Sequence, residues 1–346
     1  MLAPMNRAGR LKRFLKHSKW ATVVGRIVRD RSWMLRERFG LGNPTGAMGA
    51  THRNYSVEQS VDYIDRVFED YLRYAEITPG DLAGKSVLEL GPGDSYGVAL
   101  RFLAAGAAKV QTVDRVVAWR DPEYQRQVYT ALLARLQPAE RERAEAVLTM
   151  NGTLSFDEQR LRRREGVPIE EAASELEPGS FDLIVSRAVV EHIYDTDTAF
   201  AQMQRLLRAD GTLAHKIDMR DHGLFSGEGL HPLTFLTIPE PLYRMMVENT
   251  GQPNRKLLPY YRQLMTSLGF QARFWITHLA GREAELKPHV ETVAADDLAG
   301  PEALAEEIRD KLRRPYRSMS AADLAVSGAF LIARRADSLP GVSPKP

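Results

Sequence analysis

Three groups of residues in this chain have the types and spacing to do chemistry. The first is Glu89-Leu90-Gly91-Pro92-Gly93-Asp94-Ser95. An apolar run (Val87, Leu88, Leu90) stops at the glycine pair, and a helical pattern follows with Val98, Leu100, Phe102 and Leu103. Strand, tight turn and helix together gather free backbone N–H groups and a positive helix end at one spot. The glycines allow unusual backbone angles and a close approach to the main chain. The pattern reads as a nucleotide-like cofactor site at the first turn of a parallel α/β sheet; an ordinary strand-to-helix turn is the alternative. A dinucleotide fingerprint wants a third glycine, but Tyr96 stands there and Gly97 comes one place late. Asp94 would set a negative charge beside a pyrophosphate, whereas a cationic cofactor gains from nearby carboxylates. The second group is Asp114, ending the strand-like run from Lys109, about twenty residues past the turn, where an acid can accept both ribose hydroxyls. The third is His192, and His222 with Asp218, imidazoles suited to taking a proton near neutral pH.

The elements that must position these groups follow from periodicity. Val57, Val61, Ile64, Phe68, Leu72 and Ala75 mark a helix ahead of the first strand. Residues 121–165 read as a charged, helical insertion between the second and third strands, and the third strand itself is hard to place. Val167 to Glu171 lies nearby, with Glu170 or Glu171 offered toward an adenine. Phe181–Ser186 is a strong strand, followed by Arg187 and Glu191-His192. A helix through Phe200, Met203, Leu206 and Leu207 is expected to end at Ala209-Asp210-Gly211, with a fifth strand over Leu213–Ile217. Alternation puts His215 on the apolar face of that strand, as a core histidine. The aromatic stretch 223–262 is long for a connection and reads as a substrate pocket. A helix through Leu264 to Leu268, strands over Phe270–Leu279 and Val326–Ala333, and extra helix within 283–325 complete the pattern.

The turn Glu89-x-Gly91-x-Gly93 resembles motif I of the class I S-adenosylmethionine (SAM)-dependent methyltransferases. The string Gly179-Ser-Phe-Asp182-Leu-Ile-Val-Ser186 with Glu191-His192 resembles that family's fourth-strand motif, and Leu207 to Leu213 its next segment, with Asp210 where glycine is more common. The resemblance covers about 55–280 and 326–334. It implies an α/β fold with a Rossmann-like seven-stranded methyltransferase sheet, the last strand antiparallel, carrying a helical N-terminal arm and helical insertions. It implies SAM as cofactor, held by Glu89, Gly91, Pro92, Gly93, Asp94, Ser95, Asp114, Arg115, Ser186 and Arg187. A hydroxyl acceptor would need a base, and His192 and His222 are the candidates, with Asp218 as orienter or alternative base. Asp218, Asp221 and His222 could instead hold a divalent ion that polarises an acceptor diol, but they do not match the ligand pattern of the catechol-type enzymes, and the expectation is no metal. Two other readings stay open: an NAD-dependent oxidoreductase on the same fold, and a SAM-binding protein without transfer activity.

Composition bounds the rest. With 346 residues, 44% hydrophobic and 27% charged, the chain can bury a full core. There is no cysteine, which excludes disulfides and thiolate chemistry. No apolar run approaches the roughly 20 residues of a membrane span, and the N-terminus lacks a signal peptide's apolar core, so a cytoplasmic location is expected. The net charge of +2 is unevenly spread. Residues 1–40 hold eleven Lys and Arg against Asp30 and Glu37, a balance of +9, which leaves −7 for the remaining 306. Apolar residues recur at helical spacing among those bases, as expected of a face that packs on the protein's own core, on a second copy in a homodimer, or peripherally on an anionic membrane. The acidic body and the lack of an Asn-Pro-Pro-Tyr-type motif argue against nucleic acid and for a small or lipid-linked acceptor. The expected division is a basic arm and hinge over 1–54, the hinge itself falling at Gly40–Thr51. A methyltransferase domain follows over 55–336, with insertions at about 115–165 and 283–325 and a substrate cap at about 223–262. A flexible tail covers 337–346.

Overall fold

The computed structural model describes residues 18–39, 41 and 49–336. The start of the basic arm, most of the Gly40–Thr51 hinge and the 337–346 tail lie outside the described residues. The strands are β1 (Ser86–Leu90), β2 (Lys109–Asp114), the short β3 (Leu148–Thr149) and β4 (Ser155–Phe156), β5 (Leu161–Glu165), β6 (Phe181–Arg187), β7 (Leu207–Asp218), β8 (Phe270–Leu279) and β9 (Val326–Arg335). Seven of them form one sheet in the order β5-β2-β1-β6-β7-β9-β8, and β3 pairs antiparallel with β4. β1 lies parallel between β2 and β6, β5 extends β2 in parallel, and β7 extends β6 in parallel. The last strand runs antiparallel, as the family resemblance implied. Val87, Leu88 and Leu90 are all buried, which is why the central strand reads as a continuous apolar run rather than an alternation.

The helices used below are α1 (Lys19–Arg38), α2 (Val57–Ala75), α3 (Gly97–Ala104), α4 (Pro122–Arg135), α5 (Pro138–Glu145), α6 (Ile169–Ala172), α7 (Thr196–Leu206) and α8 (Glu240–Val247). The described residues fall into two compact units. One takes in the described part of Pro44–Ile217, with Arg262–Phe274 and the chain from Phe330. Its helix α2 opens with a capping box: the Gln59 N–H donates to Ser56 Oγ at 3.2 Å, and the Ser56 N–H to Gln59 Oε1 at 2.8 Å. The buried face of α2 meets α3 through Phe68 and Phe102, whose rings sit edge to face at 5.2 Å, and Tyr71 touches Phe330 of β9 at 5.8 Å.

Two expectations need correction. Residues 121–165 are not helical throughout. After α4 and α5 the chain forms β3, β4 and then β5, and β5 is the missing third strand, with Val110 opposite Leu161 and Asp114 opposite Glu165. Residues 169–172, next to where that strand is expected, form helix α6 instead. β5 reads Leu-Arg-Arg-Arg-Glu with a single buried apolar residue. Charge on an edge strand deters unwanted pairing, and the same charge hides the strand from an apolar-pattern search. Further on, the helix before β7 ends at Leu206, and the strand begins at once. Residues 207–211 are strand with a register irregularity against β6, not helix end. A Cβ on Gly211 would lie 2.7 Å from Leu207 Cγ, so this glycine permits the irregularity rather than stopping a helix.

The other unit takes in α1, Asp218–Tyr261 and Trp275–Ala329. Asp30 of α1 is fully buried. Its carboxylate accepts from Asn249 N at 2.9 Å, Asn249 Nδ2 at 2.6 Å, Thr250 N at 3.0 Å and Thr250 Oγ1 at 3.1 Å. α1 is thereby fastened to the end of α8. Arg255, also buried, lies 3.9 Å over the Tyr243 ring and donates to the carbonyls of Phe235 (3.1 Å) and Ile238 (2.8 Å). The aromatic stretch 223–262 thus turns Phe225, Phe235, Tyr243 and Tyr261 inward as core. Asp30→Ala would strand two backbone N–H groups and should lower stability by about 3 kcal/mol. Denaturant unfolding monitored at the tryptophans tests this, and an unchanged midpoint would mean that the Asp30 contacts contribute nothing net.

Candidate active site

Register sets the site. Leu90 pairs with Val113 on one side and Ser186 on the other, so β1, β2 and β6 end at the same level. Chain order reverses at β1, because β2 and β5 lie to one side and β6 and β7 to the other. In open α/β sheets this is the switch point where a crevice forms at the carboxyl ends. Gly91 and Gly93 have φ of +65° and +63° there. A Cβ on Gly91 would come within 2.3 Å of Val189 Cγ2, and one on Gly93 within 3.2 Å of the Gly49 carbonyl. Gly91 therefore excludes a side chain on angle and on space, and Gly93 disfavours one on angle, with a tight approach besides.

Carboxylates crowd this turn. Glu89 is buried, and its Oε2 has no hydrogen-bond partner among the described residues. Burial, reinforced by the Asp114 charge and opposed by Arg120, raises its pKa to about 8. Asp114 accepts from Val116 N at 2.8 Å and Gly93 N at 3.3 Å, yet burial still raises its pKa. Arg120 supplies the opposing charge. Its guanidinium donates to the Gly93 carbonyl and to Glu165 Oε1, and lies 4.1 Å over the Tyr96 ring. Tyr96 in turn donates to Glu165 at 2.9 Å. Asp94 is engaged differently: its carboxylate accepts from the backbone of His52 (3.0 and 3.1 Å) and Arg53 (3.1 Å). The short turn His52–Asn54 is thereby tied to the glycine turn, and Gly49 lies against Gly93.

A family model described as a methyltransferase domain matches residues 129–215. That stretch runs through β5, β6 and most of β7, beside the glycine turn on β1. The match takes in 87 of the 346 residues and marks a methyltransferase-like segment beside that turn. Solved structures similar to the chain are those of a phosphoethanolamine N-methyltransferase 2 from Haemonchus contortus (16% identity, 78% of this chain, 52% of that one, TM-score 0.40) and a SAM-dependent methyltransferase from Mesorhizobium loti (13%, 81% and 100%, 0.38). An arsenic(III) SAM methyltransferase from Chlamydomonas reinhardtii is similar at 16% identity over 78% of this chain and 71% of that one, with a TM-score of 0.37. The chain spans about half the length of the Haemonchus enzyme. Likenesses at this level assign neither acceptor nor assembly. No curated protein sequence matches the chain.

SAM is the cofactor that the resemblance of the glycine turn implies, and the residues present fit it. The buried Glu89 oxygen without a partner, the Asp114 carboxylate and the side-chain-free Gly91 and Gly93 offer negative charge and open backbone to a cationic ligand that carries no phosphate. Pro92 completes the turn. Ser95 Oγ accepts from Gly97 N at 3.3 Å at the start of α3, and Arg115 is exposed beyond Asp114. Ser186 and Arg187 are placed in other contacts. The Ser186 hydroxyl lies 2.8 Å from His215 Nδ1 in the core, and Arg187 pairs with Asp70 at 2.7 Å and faces the Tyr63 ring. His215 is fully buried, and burial lowers its pKa to about 3, as a core histidine requires. Of the two glutamates offered toward the adenine, both on α6, Glu171 is exposed and Glu170 half-buried, and burial raises the Glu170 pKa.

His192 is half-buried on the turn Val190–His192 after β6. Asp218 and His222 belong to the other compact unit. There Asp218 accepts from Arg220 Nη2 at 2.6 Å and Nε at 2.9 Å, and its Oδ2 lies 3.6 Å from His222 Nε2. Burial pushes the Asp218 pKa up, but Arg220 and His222 outweigh it and hold the carboxyl below its usual range. Burial lowers the pKa of His222 despite Asp218. Asp221 is spent on its own loop, accepting from Gly223 N (3.0 Å), Phe225 N (2.8 Å), Ser226 N (2.7 Å) and Ser226 Oγ (2.6 Å).

Sequence reading misses Arg120, Glu165, Tyr129 and His52. Tyr129 Oη accepts from Tyr96 N at 3.0 Å, and Gln125 Nε2 donates to the Asp94 carbonyl at 2.8 Å. None of these carries a motif. The one signal on offer is an arginine six residues past the second-strand acid. The charge pattern has a measurable consequence. Below pH 8 Glu89 holds a proton that a cationic ligand must displace, so SAM affinity should rise with pH, by at most about tenfold per unit, and level off above about 8. Glu89→Gln should weaken binding and flatten this profile. Calorimetry across pH reads both, and a flat parent profile would show that Glu89 does not face the cofactor.

Proposed function

We propose that this chain transfers a methyl group from SAM to a hydroxyl of a small or lipid-linked acceptor, such as a sugar or a secondary metabolite. The observation that carries the reading is the His222 imidazole, kept neutral at pH 7 by burial and standing beside the Asp218 carboxylate. When bound, SAM supplies a methyl carbon that an oxygen nucleophile takes as the C–S bond breaks, leaving S-adenosylhomocysteine. Glu89, Gly91, Gly93 and Asp114 hold the cofactor. His222 takes the acceptor's hydroxyl proton, and the resulting imidazolium is stabilised by Asp218, which Arg220 keeps ionised and oriented. His192 is the second candidate base. Residues 55–336 form the transferase domain in this reading. The enzyme would work in the cytoplasm, without nucleic acid, as a monomer or homodimer. Among the described residues no helix is long and apolar enough to cross a membrane.

Calorimetric titration with S-adenosylhomocysteine, with NAD in parallel, is the first test. Binding of the former alone supports the reading, and binding of NAD alone discards it in favour of an oxidoreductase. Asp114→Ala should weaken S-adenosylhomocysteine at least about tenfold through lost charged hydrogen bonds. His222→Asn should spare that binding and lower turnover about 100-fold. Because the His222 pKa is lowered, the parent rate should fall only on the acid side of the ordinary imidazole range. Full rates in both His222→Asn and His192→Asn would refute the base assignment. Binding without transfer to any hydroxyl acceptor would favour a SAM-binding protein.

A further inference from the structure

Helix α1 has two working faces, and the fold uses one of them. Val23 and Asp30 are buried, and Lys19 Nζ donates to Thr237 Oγ1 at 3.3 Å. The other face carries Trp20, Val24, Val28, Leu35 and Phe39, which are 47 to 68% exposed. At about 100° per residue these five fall within an arc of roughly 100°. On the same wheel Arg38 lies at one margin of the stripe with the half-buried Arg31 just inside it, and Arg36 and Arg29 lie about 60° and 80° beyond the other margin. The only acids in the helix are Asp30, which is turned inward, and Glu37. The seventeen residues ahead of Ser18 add Arg7, Arg10, Lys12, Arg13 and Lys16 and no acid.

We infer that the outer face of α1 is a docking surface for an anionic lipid bilayer, with the helix lying in the plane of the interface. An apolar stripe with arginines at one margin and further round the helix beyond the other is an arrangement that binds there. The stripe enters the acyl boundary, and the guanidinium groups stay among the headgroup phosphates. Charge selects this occupant over a second copy of the chain. A two-fold pairing of the face would set its arginines against each other, whereas an anionic surface matches them. The split between +9 in residues 1–40 and −7 in the remainder also orients the approach, since the acidic body is repelled from the surface that attracts the arm. The inward contacts of Asp30 hold α1 as a helix in the free protein, so docking need not order it first. The inference does not depend on which acceptor is methylated.

Co-sedimentation of the full chain with vesicles tests it. The protein should partition onto phosphatidylcholine–phosphatidylglycerol vesicles, far less onto phosphatidylcholine alone, and less as salt rises. The double variant Val24→Ser, Val28→Ser should lose about tenfold in partitioning through its missing apolar area. Arg29→Gln with Arg38→Gln should lose about fivefold per base, on the anionic vesicles only. All four positions are exposed, so thermal unfolding should match the parent and separate a docking defect from misfolding. No partitioning by the parent overturns the inference. So does equal partitioning by parent and both variants, which would place binding elsewhere in the chain. A dimer seen by light scattering and lost in Val24→Ser, Val28→Ser, without vesicle binding, would make the face a copy–copy interface instead.

Discussion

The site depends on an excess of negative charge at the carboxyl ends of β1 and β2 that the fold only partly neutralises. Glu89 lies one residue short of the end of β1 and Asp114 ends β2, so the parallel register fixes both acids at the carboxyl end of the sheet. Arg120 offsets part of the repulsion, but Glu165 shares that guanidinium. Glu89 therefore keeps a proton at neutral pH. A buried acid without a partner is costly to a fold. Its place beneath a turn whose glycines disfavour side chains makes sense if a positive ligand completes the arrangement. A phosphate would meet the same carboxylates as a penalty. The charge of the turn thus discriminates between adenosine cofactors more sharply than the spacing of its glycines, which SAM and dinucleotide enzymes broadly share.

Much of this arrangement is legible in the order of residue types. Strand β2 and the glycine turn are bounded by residues whose types change abruptly, and both fall where the pattern puts them. β8 is equally clear, because a long run bounded by glycine turns leaves little choice. β5 is not, because its one buried apolar residue gives no period to read. The same limit hides Arg120 and Glu165: they matter through their positions in space, and nothing in their local sequence marks them. Asp94 and Ser186 show a different limit. Their spacing fits a cofactor motif, yet the Asp94 carboxylate is occupied by the backbone at His52 and Arg53, and the Ser186 hydroxyl by His215. Motif position and side-chain engagement are separate facts.

The basic arm illustrates how composition can mislead in both directions. A helix with many bases and a hydrophobic periodicity invites a choice between a face packed on its own core and a face turned to a partner. In α1 the two coexist on opposite sides. The acid that looks out of place among the bases, Asp30, is the residue that fastens the helix, through four hydrogen bonds to Asn249 and Thr250. The apolar residues divide likewise, Val23 inward and Val24 and Val28 outward. A helical periodicity averaged over the segment cannot resolve two stripes of different purpose, whereas the burial of individual side chains does.

The histidines argue the same point at the level of chemistry. His215 and His222 lie close in sequence, and both are neutral at pH 7, but for different ends. His215 is sealed in the sheet against Ser186 and Phe200, and burial drives its pKa to about 3. Protonating it would place an uncompensated charge in the core, so it cannot accept a proton during turnover. His222 also has a lowered pKa, but an ionised carboxylate stands beside it, and Asp218 is itself held in that state by Arg220. A proton arriving at His222 therefore meets a counter-charge already in place. What separates these two imidazoles is the presence of that counter-charge rather than the direction of the pKa shift, and of the two only His222 has one.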